Sequence, residues 1–412
     1  MRRRLGTNLV AALLLAFPCT HRAAAVDIDP VFSAQMLTGQ YFFTGGRSSL
    51  GGDLSVLVAP AMRFNEQWDL YPSLSSSYKG TKDVMDLMGA GTVLQEQMRH
   101  RLGVKGVYRP PDTKWKVKPS VSYTAKLLKE TRDEQWGDGL FDNRKLNVGV
   151  EGEYVYKDPF SVRFGVDYFN TRFPHYTSLE SQASTDFQGE TLARELVGDR
   201  ILDSHGQMLS ASGHLPLGKI VVAGNYALML QQFPNQMVVV DSGDLSSDKR
   251  NDTSQSLRAG IRFPWNVRHR LKLVLSIDMG VKLHTSDQNS YDAFQMKFIE
   301  GHYDYREHSR GIGAQMTAGD PERPTRIGVD LTFTDRNYLS RPIQAETGLY
   351  KDETLDTRNL MLSGTVSRPL APRFKALFTV QHGISSSNQE FAQFYTYDYT
   401  ATNYLLGVSY DY

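Results

Sequence analysis

The chain has 412 residues, 46 Lys and Arg against 45 Asp and Glu, a formal charge of +1 and a mean hydropathy of −0.40. Near-balanced charge excludes the strong basic excess of a nucleic-acid binder. No apolar run approaches the ~18 residues a membrane helix needs, so nothing in the chain spans a bilayer as a helix.

The N-terminus reads as a secretory signal peptide over residues 1–25. Arg2, Arg3 and Arg4 form a positive start, Leu9 to Pro18 a short apolar core, and Ala23-Ala24-Ala25 a small-residue cleavage site. Cleavage is placed after Ala25. The sole cysteine, Cys19, is expected to leave with the signal. Residues 1–25 hold four basic residues and no carboxylate, which makes the mature formal charge about −3.

Beyond residue 26 the dominant pattern is alternation with period two. In Leu271 to Leu283 every odd position is large and apolar, while even positions include Lys272, Ser276, Asp278 and Lys282. Such a strand has one hydrocarbon face and one charged face, so water lies on only one side of it. Leu146 to Tyr154, Phe160 to Tyr168 and Ile327 to Thr334 repeat the pattern. Their lengths approach the roughly 9–11 residues that cross a bilayer as a tilted strand.

Short turns near residues 65–67, 110–113, 157–159, 217–219, 266–269, 319–324 and 370–372 alternate with longer polar stretches. Those stretches lie near 44–52, 80–95, 130–143, 174–203, 233–252, 286–302, 339–355 and 384–398. Short turns at one rim and long loops at the other characterise a transmembrane β-barrel. Seven turns and eight loops predict sixteen strands. They are placed near 32–43, 53–64, 68–80, 96–109, 114–129, 143–156, 160–173 and 204–216, then 219–232, 253–264, 270–285, 303–318, 325–338, 356–369, 373–383 and 399–412. Fourteen or eighteen strands remain open. The fold class is therefore all-β: one antiparallel transmembrane barrel over residues 26–412, with no second domain. The longest loop, 174–203, is open between an inward constriction and an external surface loop, and residues 191–197 have helix-friendly composition.

Parity assigns side chains to the lumen. The basic ones are Arg99, Arg101, Lys105, Lys116, Lys118, Lys126, Lys145, Arg163, Arg258, Arg262, Lys272, Lys282, Arg326 and Lys375. The acidic ones are Glu151, Glu153, Asp167, Asp278, Asp330 and Asp411. A basic excess on a low-dielectric wall favours anions. The candidate cluster is Arg99, Arg101, Lys116, Lys118, Arg258 and Arg262, with the first four on neighbouring strands. The competing reading is cross-strand pairing with Glu151, Glu153 and Asp167. Trp115, Tyr156, Phe160, Phe263, Trp265, Phe374 and Tyr412 are expected as interfacial aromatics at the turn side, with Tyr123, Tyr168 and Phe169 toward the other end.

Catalytic constellations are weak. His382 and Ser385 have opposite parity, and His302, Asp304 and His308 read as rim residues. The histidines show no metal-ligand spacing, and acidic Asp241, Asp244 and Asp252 read as a solvated loop. No enzyme activity, metal or cofactor is expected.

The terminal segment Leu405 to Tyr412 alternates and ends on an aromatic. Gly407 stands five positions before the end, Tyr410 two before it, and Tyr412 at it. This resembles the C-terminal signal of Gram-negative outer-membrane β-barrels, with Leu405 departing from the polar residue usual there. The resemblance implies an outer-membrane location, lipopolysaccharide around the outer half, and recognition of Gly407, Tyr410 and Tyr412 by the barrel-assembly machinery. The leading function is a porin-like passive channel for small hydrophilic solutes, tilted toward anions. The alternatives are a barrel component of a polysaccharide or lipoprotein export or surface-assembly system, and a structural barrel binding partners through external loops. Whether the chain forms a homo-oligomer or joins an export-system partner is left open.

Overall fold

A computed structural model of the chain describes residues 26–44, 47–80, 96–129, 134–177, 198–268, 270–292, 295–391 and 398–412. The signal peptide, Cys19 and most of the 174–203 stretch, including its helix-friendly segment, lie outside the described residues.

Sixteen strands form one closed antiparallel barrel. They are β1 Phe32–Phe43, β2 Arg47–Val58, β3 Trp68–Lys79, β4 Glu96–Tyr108, β5 Trp115–Lys129, β6 Asn143–Lys157, β7 Phe160–Arg172 and β8 Ser204–Leu217. The second half is β9 Ile220–Val239, β10 Leu245–Arg268, β11 Leu271–Ser286, β12 Tyr305–Ala318, β13 Thr325–Gln344, β14 Tyr350–Ala371, β15 Phe374–Ser387 and β16 Tyr399–Asp411. Each strand pairs with the next, and β1 closes on β16 from Ser33↔Asp411 to Phe43↔Ala401. Closure leaves no unpaired sheet edge, the condition for a sheet to live in lipid.

The alternation behaves as read. Leu146, Val148 and Val150 of β6, Phe164, Val166 and Tyr168 of β7, and Leu275, Ile277, Met279 and Val281 of β11 are all exposed. They face outward as an apolar belt. Trp115 stacks near Tyr154 at 5.2 Å and Trp68 on Tyr108 at 4.7 Å, which places aromatic pairs at the turn-side rim. Phe169 differs from expectation. It shares the inward parity of Arg163 and Asp167, is buried, and lies under the Lys145 ammonium at 4.3 Å.

The second strand also differs: it runs 47–58, not 53–64. Its polar start, Arg47 to Gly51, pairs with the end of β1, and Gly51 lies against the Tyr41 ring. Pro60 has no N–H to give, and the ladder breaks there before Ala61–Arg63 resumes it.

At the long-loop rim, β9, β10, β13 and β14 run to 20, 24, 20 and 22 residues, against 12 for β1 to β3. Their upper parts, with a short hairpin of Ser290–Asp292 and Lys297–Ile299, form a packed cap. Within it Gln236, Val239, Gln288, Ile343 and Leu355 are fully enclosed. The Gln288 amide accepts from Val239 N at 2.9 Å and donates to Met237 O at 2.8 Å.

Candidate functional site in the barrel lumen

Strands β4 to β7 carry most of the inward charge. Low on this wall is an ion-pair ladder. Lys118 Nζ lies 2.9 Å from Glu151 Oε1 and 2.8 Å from Glu153 Oε2. Lys116 reaches Glu153 at 3.8 Å, Lys105 reaches Glu151 at 3.5 Å, and Arg163 reaches Glu153 at 2.9 Å. Ser161 Oγ also donates to Glu153 at 2.7 Å. Glu153 is 5% exposed, so the ladder satisfies its charge almost without water. The register produces this arrangement: Lys116 stands opposite Glu153, and Lys118 opposite Glu151. Lys116 and Lys118 sit six or more residues along β5 from Thr124, the partner of Arg101, so the structure separates them from Arg99 and Arg101.

Higher on the same wall the pairing stops. Arg99 stands directly opposite Lys126, and Arg101 opposite Thr124, which faces Lys145. Like charges opposite one another repel. Arg101 donates to Ser122 Oγ at 3.3 Å, and among the described residues no carboxylate lies within ion-pair distance of Arg99, Arg101 or Lys126. Ser75 and Ser77 of β3 flank the two arginines in register, which adds hydroxyls to the cluster. Arg99 and Arg101 are exposed although they point inward.

On the facing half of the sheet, Arg258 and Arg262 lie on β10, inward and exposed, and inward Asp278 and Asp330 are exposed on β11 and β13. This half is closer to charge balance than β4–β7. All six predicted basic residues reach the inner wall, but the structure does not gather them into one cluster.

Sequence reasoning missed a network above the lumen. The Arg250 guanidinium lies between the rings of Phe233 and Tyr303, 4.6 Å from each. It grips both oxygens of buried Asp252 at 2.8 and 2.7 Å and donates to Gln236 at 3.2 Å. Ser254 Oγ is 2.7 Å from His284 Nδ1, and His284 Nε2 is 3.6 Å from Asp252. The trio has the order of a nucleophile relay, but Asp252 spends its oxygens on Arg250 and Ser286, the latter at 2.6 Å. Ser254 is buried and His284 is stacked on Tyr305 at 5.0 Å. This is a brace for the cap. The pairs Ser254↔His284 and Asp252↔Ser286 sit on opposite strands, a signal available only once the β10–β11 register is known.

At the seam, Leu37, Tyr41 and Leu405 form a buried inward cluster with Phe43 and Leu377. A Cβ added at Gly407 would fall on the Met36 carbonyl, and one at Gly39 on that of Tyr404, so β1 and β16 close only with glycine at both positions. Tyr410 packs 5.8 Å from Phe32 and 4.9 Å from Phe374, and Tyr412 lies beneath the Arg373 guanidinium at 3.8 Å.

A closed sheet with an apolar outer belt and a charged inner wall is suited to lipid on the outside and a polar interior. The fold is that of a Gram-negative outer-membrane β-barrel. No family model and no curated protein sequence matches the chain. Among solved structures it is similar to OmpT, an outer membrane protein of Vibrio cholerae in trimer form. The identity is 12%, over 94% of this chain and 100% of that one, with TM-score 0.41. It is similar also to a bacterial polysaccharide outer membrane secretin (9%, 93% and 98%, TM-score 0.44). OccK2 (OpdF) of Pseudomonas aeruginosa, solved in complex with glucuronate, is similar at 10% identity over 93% and 98%, with TM-score 0.43.

Proposed function

We propose that this barrel is a passive channel for small hydrophilic solutes that prefers anions. One observation carries the reading: inward charged side chains are exposed from the upper rim, at Arg99 and Arg258, through Arg101 and Asp278, down to Asp330 at mid-height. An inner wall that solvent reaches at mid-height surrounds a water-filled space, as sixteen strands are wide enough to do. The unpaired cations Arg99, Arg101 and Lys126 supply the sign, because a basic ring on a low-dielectric wall concentrates anions.

The test is conductance of the refolded mature chain in a planar bilayer under a salt gradient. Stable steps with an anion-biased reversal potential are expected, and R99Q/R101Q moves that potential toward zero selectivity. A folded barrel that conducts nothing would overturn the channel. Steps whose reversal potential ignores R99Q/R101Q would overturn the role of this cluster.

A further inference from the structure

The outward wall of β12 to β14 carries a charged bay at the height where the apolar belt ends. Arg306, His308 and Arg310 share the outward face of β12 with Ile312, which is 63% exposed. In register, Arg310 stands beside Met279 and Phe333, His308 beside Val281 and Asp335, and Asp335 beside Arg358. One row lower the same face is Ile277, Ile312, Leu331 and Leu362. His308, Arg310, Phe333, Asp335 and Arg358, with Asn337, Asp356 and Thr357, line a cavity of about 350 Å³.

The height follows from the strand. Arg310 is eight residues above the end of β12 at Ala318. A strand tilted 35–45° climbs roughly 2.5 Å per residue, so Arg310 lies about 20 Å up a band some 25 Å tall. Arg358 and Arg306 stand higher, at the boundary with the outer headgroups.

The charges do not cancel. Arg358 touches Asp335 at 3.8 Å, and Asp356 accepts from Asn337 at 2.7 Å. Arg306 and Arg310 have no carboxylate within ion-pair distance among the described residues, and both are exposed. An unpaired guanidinium beside Met279 and Phe333 faces hydrocarbon, where charge is costly, unless an anion from the membrane meets it. Arg310 and Arg358 are two strands and one row apart, about 12 Å between their backbones, a gap their long side chains can narrow. Planar guanidinium groups brought together across that gap flank a single phosphate and its ester oxygen well.

We propose that this bay binds the phosphate of an anionic glycolipid headgroup of the outer leaflet. Arg310 and Arg358 hold the phosphate, Arg306 adds charge from above, and Met279 and Phe333 pack on the hydrocarbon below. The site is on the lipid side of the wall and is independent of conduction through the lumen.

The test uses the full mature barrel purified in mild detergent, titrated with lipopolysaccharide bearing phosphorylated or dephosphorylated lipid A. Wild type is expected to bind the phosphorylated form about tenfold more tightly. R310Q/R358Q is expected to lose that margin, while R144Q, an outward arginine of β6, keeps it. Inorganic phosphate alone is titrated in parallel. If millimolar phosphate does not compete, the lipid is the source. If it displaces the lipid at micromolar levels and binds the barrel by itself, the lipid assignment is overturned and the bay is a free-phosphate site. Equal binding of both lipid A forms by wild type overturns the proposal outright, and that comparison stands even where the double variant fails to fold.

Discussion

Phe32 and Tyr412 exchange backbone hydrogen bonds, 3.2 Å from Phe32 N to Tyr412 O and 2.8 Å from Tyr412 N to Phe32 O. The last residue of the chain therefore supplies the lowest rung of the seam that closes the barrel. The terminal aromatics that resemble an assembly signal are also structural parts of the closure: Tyr410 fills the space between Phe32 and Phe374, and Gly407 lets two backbones approach.

Two seam variants separate recognition from closure. Deleting Tyr412 removes one rung and its cation–π contact with Arg373, each a term of about 1 kcal/mol. The refolded yield in detergent should fall modestly. Gly407→Val places a side chain on the Met36 carbonyl and should abolish closure in vitro, without any assembly machinery present. Heat-modifiable mobility on gels reads both. A Gly407→Val barrel that refolds as wild type would leave Gly407 with a recognition role alone.

Lys118 and Glu153 behave as a buried pair, with side chains 11% and 7% exposed. Removing one partner of such a pair strands the other and typically costs about 3–5 kcal/mol. Lys118→Met should lower the urea midpoint of the reconstituted barrel, and Lys118→Met/Glu153→Gln should recover most of it. Ion preference should move little in the double variant, which removes one charge of each sign and leaves the net charge of the Lys116–Lys118 level unchanged. A large change in reversal potential with unchanged stability would return Lys118 to the selective lumen.

How far the sequence carries can be seen in β9, β10, β13 and β14. The alternation ends near 232, 253, 338 and 356, and the ladder changes register there, between Gln232 and Met237 on β9 and between Asn337 and Pro342 on β13. Lipid imposes a hydrophobic face only within the belt, so periodicity reports the belt and stops with it. Above it the strands continue through backbone pairing and enclosed side chains such as Gln288 and Gln236, which carry no periodic signature. The inner wall was legible residue by residue, since parity follows from alternation. Partnership was not: whether Lys118 meets Glu151 or Arg99 meets Lys126 depends on register between neighbouring strands, and a slip of two residues would give each a different partner. The outward Arg310 and Arg358 escaped notice because they lie on the face that the pattern marks as apolar.

Burial pushes His302, in the cap between β11 and β12, down to about 3, with the nearby Arg341 charge adding to the shift. Its Nδ1 has no hydrogen-bond partner and its ring meets Tyr303 at 5.0 Å. Above pH 6.5 the imidazole is neutral whether the cap is packed or opened, and stability is flat. As the pH falls, the opened form takes up the proton first. Packing then loses about 1.4 kcal/mol per unit between pH 6.5 and pH 3. Hydrogen exchange over residues 298–304 should quicken from pH 7 to pH 4, after correction for intrinsic rates, and His302→Phe should remove the pH dependence. Equal protection at both pH values in wild type would count against a buried neutral imidazole.

Arg250 is the bolt of the same cap. Its guanidinium, held by Asp252 on its own strand, ties β10 to β9 through Gln236, and both of its faces are covered by Phe233 and Tyr303. Asp252 is 4% exposed, so Arg250→Ala leaves a carboxylate nearly out of water with only Ser286 and His284 to answer it. The expected cost is about 3–5 kcal/mol, confined to the cap because the ladder below Asp252 is continuous from Thr253 to Arg262. Limited proteolysis should cut Arg250→Ala between residues 233 and 252 while the barrel core stays heat-modifiable. Arg250→Ala/Asp252→Asn, which removes the stranded charge, should be cut more slowly than the single variant. Global unfolding of Arg250→Ala would mean that cap and barrel form one cooperative unit. Wild-type resistance to protease would mean that the two aromatic faces hold the cap without the ion pair.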